Sequence, residues 1–238
     1  MKHYRSSIPK TARERVTATF VDNPKKYQAE YVLNGEIVGI RYFHGTGDVE
    51  VERPLKNGLT HGTMYWSDTP GRISFAEPYS NGLPHGVARQ WSDDGKLIGT
   101  YTMKRGTGID LWRCERSGRK GSYYLSEARY LKDGKWHGFE WWLKESRKSL
   151  WQERHFREDE LHGNERRWNW NGRLDRGYPR YWVSGKRVAK RQYLRECARD
   201  PALPTFREKD NRPQRKFPPE VAAQLGGAAA APARGRAG

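Results

Sequence analysis

The chain has 238 residues, a net charge of +17, 10 Trp and 13 Tyr, and little Leu, Ile, Val or Phe. High charge with so few aliphatic residues points towards disorder, but Trp and Tyr bury area while keeping a polar tip wet, so a thin fold with an aromatic face is expected. Two cysteines far apart, Cys114 and Cys197, exclude a disulfide framework or a cysteine zinc site, and no apolar run approaches the roughly 20 residues that span a bilayer.

Residues 1–14 are polar, without periodicity, and are expected to be flexible. Lys2, Arg5 and Lys10 have no apolar stretch behind them, so a signal peptide is not expected and a soluble, cytoplasmic protein is. Val16 to Val21 is β-branched and aromatic and predicts a strand ended by Asp22-Asn23-Pro24. Tyr27 to Leu33 predicts a second strand, and Asn34-Gly35 a type I′ hairpin turn, because both central positions need positive φ.

From there one pattern recurs, most plainly as Asn57-Gly58-Leu59-Thr60-His61-Gly62 and Asn81-Gly82-Leu83-Pro84-His85-Gly86. Its second glycine falls at Gly39, Gly62, Gly86, Gly108, Gly138 and Gly163, with Lys104 standing where the first glycine would precede Gly108. The wider interval containing Arg113 to Tyr124 must hold an insertion. An aromatic follows each second glycine by four or five residues: Phe43, Trp66, Trp91, Trp112, Trp142 and Trp168. Each repeat of about 24 residues divides into two strands and two turns, so about seven successive β-hairpins are expected over 15–189, in an elongated, twisted antiparallel sheet. The four-versus-five spacing would alternate the facing of the ring, so bulges are expected near Val87 to Gln90 and Asn164 to Arg167. The second glycines are expected where a Cβ would clash. Residues 190–206 predict a short capping helix and a loop, with Tyr193, Leu194, Cys197 and Ala198 at helical spacing and Asp200-Pro201 ending it. Residues 207–238, basic and rich in Pro, Ala and Gly, are expected to form a disordered tail.

The turn-Gly-x-x-His-Gly string followed by an aromatic strand resembles the MORN repeat, over roughly residues 30–190. The second turns, such as Gly95-Lys96-Leu97, look more like its bacterial variant, whose members are often labelled as antitoxins of toxin-antitoxin systems. The resemblance implies a sheet of β-hairpins used for protein or lipid association, without catalytic residues.

No residue set announces a reaction, a cofactor or a metal site, and a non-enzymatic protein is expected. His61, His85, His137 and His162 share one repeat position, but equivalent positions two strands apart, about 9 to 10 Å, are too far for one ion. Bonding to a turn backbone is the expected role. Glu158-Asp159-Glu160 reads as a solvated turn. The positive charge lies almost entirely beyond residue 100, which hints at an anionic partner. Arg166, Arg167, Lys186, Arg187, Lys190 and Arg191 alternate with Trp168, Trp170, Tyr181 and Trp182, and with Trp142 they form the candidate binding surface. The leading expectation is a protein partner, with an antitoxin-like role as one form. The alternative is nucleic acid, for which basic residues and stacking rings are the requirement, or an anionic lipid surface.

Overall fold

The computed structural model describes residues 3–146 and 149–225, and among these it is mainly β: eighteen strands, every pair antiparallel, with short helices only near the C-terminal end. Among the described residues no helix is long and apolar enough to cross a membrane. The chain divides into two compact units, Met1–Gly108 and Ile109–Gly238.

In the first unit the strands follow one another as hairpins: β1 (Arg13–Phe20), β2 (Asn23–Leu33), β3 (Glu36–Phe43), β4 (Val49–Lys56), β5 (Leu59–Thr60), β6 (Gly62–Trp66), β7 (Phe75–Ser80), β8 (Leu83–Pro84), β9 (Gly86–Trp91) and β10 (Leu97–Lys104). The predicted turn chemistry holds, since Asn34, Asn57 and Asn81 all have positive φ and each precedes a glycine that does too. The weaker copy turns at Arg105-Gly106, two residues nearer its second glycine than the Lys104 alignment implied. His61 and His85 tie successive hairpins together. Each accepts at Nδ1 the first N–H of the next hairpin's turn, from Asn81 at 3.3 Å and Arg105 at 3.1 Å.

Residues 3–14, expected to be flexible, are instead laid over one face of this unit. Ile8 is buried with Ala29, Tyr31 and Phe43, and a Cβ on Gly39 would meet its side chain. Ser6 and Tyr4 donate to the fully buried carboxylate of Glu52, which also pairs with Arg41 at 2.7 Å. The His3 ring stacks on Trp91 at 5.0 Å. The polar composition concealed this segment because its anchors are hydroxyls and one isoleucine rather than an apolar run.

The second unit continues with β11 (Thr107–Arg116), which starts just before the boundary, β12 (Arg119–Lys132), β13 (Lys135–Leu143), β14 (Leu150–Arg157), β15 (Glu160–Leu161), β16 (Gly163–Arg167), β17 (Arg180–Val183) and β18 (Lys186–Val188). The expected insertion is thus no extra element but two long strands around the turn at Gly118, β11 and β12. The predicted helix is α1 (Lys190–Cys197), which buries Tyr193 against Tyr181 and Leu203. His162 repeats the turn contact, accepting from Ser184 N–H at 3.1 Å. In place of a bond from His137, Asp159 accepts the Trp136 N–H at 2.8 Å, and His137 meets the edge of Tyr130. At Gly163, φ is +145° and a Cβ would lie 2.6 Å from His155 Cβ and 2.8 Å from Pro204. This is the close approach that the repeat glycine was expected to allow.

The tail departs from expectation. Residues 207–225 hold a 3-10 turn (Glu208–Asn211) and a short helix α2 (Pro219–Gln224) that buries Val221 completely. Phe217 packs edge-on against Trp141, and Arg113 donates to Gln224. Isolated anchors in a Pro-rich sequence have no periodicity, so composition alone hid them. Residues 226–238 of the expected tail lie outside the described residues.

The backbone is irregular close to both expected bulge positions and at a further place besides. Gly86 to Gln90 pair with β10 residue for residue, and the extra residue opposite them is Ile98, just after the second turn. Glu50 and Trp151 are surplus at the same place in other repeats. On the other side the register slips by two residues, from Tyr79↔Pro84 to Ala76↔Arg89 and from Phe156↔Leu161 to Glu153↔Arg166, so surplus backbone lies within 85–88 and 162–165. In the second unit the ring still changes face, Trp142 at a spacing of four lying on the face opposite Trp168 at five, whereas in the first unit Phe43 and Trp91 both face the N-terminal segment.

Candidate functional site

In the second unit that change of face sorts the predicted site residues. A spacing of four puts Trp142 in register with Glu127 and Gln152, and Gln152 is in register with Arg167. A spacing of five puts Trp168 on the opposite face with Arg166, Glu153 and Trp141. One proposed surface is therefore two.

The Trp168 face is covered by residues 203–225. Trp168 has no exposed surface, its Nε1 donates to Asn211 O at 2.7 Å, and Arg215 lies over its ring. Arg166 is 2% exposed and gives NH1 to Glu153 at 2.6 Å, while Arg215 gives Nε to the other oxygen at 2.6 Å. Trp141 Nε1 adds a third bond at 3.1 Å. Burial pushes the Glu153 carboxyl up, but His155 and the two guanidiniums outweigh it and bring it down to about 2. Tyr181 is buried beneath α1. Arg166, Trp168 and Tyr181 therefore lie under the terminal segment and α1 rather than on the open surface. In the sequence they could not be told from Arg167 and Trp182, because alternate residues of a strand share composition but not environment.

Among the described residues no terminal segment is laid over the other face. Arg129, Glu140 and Arg154 form one row across β12, β13 and β14, and Asp110 joins Arg129 at 3.0 Å. Trp136, Phe156 and the Arg129 and Arg154 guanidiniums lie against one another. The next row is Glu127, Trp142, Gln152 and Arg167. Beyond it Trp182 donates to Glu165 at 3.0 Å, and Tyr178 lies between Arg167 and Arg180, 5.2 and 4.2 Å from their guanidinium carbons. Trp142 and Trp182 are half-buried, with part of each indole exposed. Trp142 Nε1, Glu127 Oε1 and Arg180 Nε are buried without a hydrogen-bond partner among the described residues. Asp110, Glu127 and Glu140, missed by the sequence reading, sit at in-register strand positions where only the pairing reveals a cluster.

Burial raises the Glu127 carboxyl to about 7, with Glu140 and Asp110 adding to the rise and Arg129 and Arg154 opposing it. The folded chain then binds this proton more tightly than the unfolded chain, whose carboxyl titrates near 4.5. Its stabilising contribution is full below pH 4.5 and is lost as pH rises through about 7. Glu127→Gln should leave the urea midpoint nearly unchanged at pH 5 and stabilise by about 1–2 kcal/mol at pH 8, after allowance for solvent screening. Equal shifts at both pH values would assign the titration to another group.

The remaining predicted residues are dispersed. Trp170 is 94% exposed, alone in a turn. Lys190 pairs with Glu208 at 2.7 Å, whereas Lys186, Arg187 and Arg191 are exposed and in no ion pair among the described residues. No group of three or more His, Cys, Asp or Glu suited to a metal occurs among the described residues. Compared with known families, characterised proteins and solved structures, the chain matches none of them, and its reading stands on its own residues.

Proposed function

We propose that the chain is a non-enzymatic binding scaffold that takes a protein partner on the open face of its second unit, centred on the Glu127, Trp142, Gln152 and Arg167 row. The observation that carries this reading is the exposure of part of Trp142 and Trp182 beside arginines held in place by Asp175 and Tyr178. Trp, Tyr and Arg on a rigid base are the residues that anchor protein interfaces, and a paired sheet holds them with little entropy left to lose on binding. The resemblance to MORN repeats supports association over catalysis, and an antitoxin role would be the case in which the partner is a toxin.

The test uses the tagged full-length chain to recover partners from its native host, followed by titration of the recovered protein. Trp142→Ala with Arg167→Ala should weaken that partner by about 100-fold or more while leaving the far-UV spectrum intact. Undiminished affinity in the double variant would remove this face from the interaction.

A second reading, nucleic acid or an anionic lipid surface, is favoured by the exposed Lys186, Arg187 and Arg191, which are in no ion pair among the described residues. Of its stacking rings Trp168 and Tyr181 are buried, which leaves Trp170 and part of Trp182. Affinity for RNA, DNA or anionic vesicles that falls steeply with salt, and flattens on changing these three residues to Gln, would decide for it.

A further inference from the structure

The terminal segment does more than cover its face, because it leaves a cavity of about 670 Å³ beneath it. Arg166 and Arg215 line this space together with Arg207, Lys209 and Lys216, and the carboxylates that line it are Glu153 and Asp210. Asp210 is taken by Arg207 at 2.9 Å. Glu153 is shared between Arg166 and Arg215, whose side chains are 2% and 12% exposed. Two largely buried guanidiniums thus have one carboxylate; Arg215 gives its other N–H groups to the carbonyls of Asp210, Arg212 and Gln214, Arg166 Nε goes to Asn211, and the buried Arg166 NH2 has no hydrogen-bond partner among the described residues. Lys209 and Lys216 add two charges in no ion pair among the described residues.

Desolvated charge is costly unless it is paired, so a cavity with surplus positive charge favours an anion over water. Its volume lies in the range of small-molecule sites, roughly 300–1,000 Å³, well above what a bare ion needs. Trp141 and Pro204 supply an apolar wall. We propose that this cavity binds a small phosphorylated molecule, its phosphate held by Lys209 and Lys216 in the field of the buried Arg166 and Arg215, and its body against Trp141. This site is independent of the open-face reading, for it lies on the opposite side of the sheet.

Isothermal titration of the full chain with ribose 5-phosphate, at a fixed ionic strength near 0.15 M, tests the proposal. One saturable site is expected, with inorganic phosphate competing for it and ribose failing to bind. Lys209→Gln with Lys216→Gln, both exposed and outside the packed core, should weaken binding by about tenfold or more. Lys186→Gln with Arg187→Gln, equally basic but outside the cavity, should leave it unchanged, as should Trp142→Ala. Absence of binding, equal weakening by both lysine-containing pairs, or binding seen only with vesicles containing phosphatidic acid would overturn the proposal.

Discussion

Glu153→Ala should destabilise the chain by about 3–5 kcal/mol in urea at pH 7, because it strands two guanidiniums in a space they cannot leave. Glu153 is 3% exposed and accepts from Arg166, Arg215 and Trp141. Its removal breaks a strand-to-strand bond and the tie to the terminal segment at once. The wild-type contribution also carries a pH signature. The folded carboxyl titrates at about 2, below its unfolded value of 4.5, so the stability is full above pH 4.5 and is lost as pH falls towards 2. Replacing all three charged members together, Glu153→Leu with Arg166→Met and Arg215→Met, should recover most of the loss, since no charge is then left unpaired. A midpoint for Glu153→Ala within about 1 kcal/mol of wild type would mean that the terminal segment is not held as described.

Trp168→Ala should cost a further distinct 3–5 kcal/mol or so, the range for deleting a fully buried large ring. The ring is closed in by Arg215 and its indole N–H is satisfied by Asn211 O, so truncation opens a void and frees a carbonyl. Trp142→Ala, at the same repeat position but with part of its ring exposed, should cost clearly less, about 1–2 kcal/mol. Urea denaturation of the two variants side by side measures the difference. Equal midpoints would show that the switch of face between spacings of four and five does not decide burial.

Local chemistry was written in the sequence. Asn-Gly at the turns demands positive φ, glycine is needed where His155 and Pro204 crowd Gly163, and histidine recurs where the next turn needs an acceptor. These are requirements within one hairpin and its neighbour, and a single chain states them by repetition. A segment such as Lys190 to Cys197, with helical spacing and a proline just beyond, is equally self-contained. The binding surface was only half legible. Arg166 and Arg167 are adjacent and chemically identical, yet one is buried on Glu153 and the other borders the open face beside Asp175. Their difference comes from which face residues 203–225 cover, and those residues are joined to the sheet through contacts more than forty positions away, as in Trp168 with Asn211 and Glu153 with Arg215. The N-terminal residues behave alike, with Tyr4 and Ser6 reaching Glu52. Composition reports how much a segment can bury, but a few polar anchors on a ready-made sheet hold a segment that has little to bury, and only the folded sheet brings those anchors their partners.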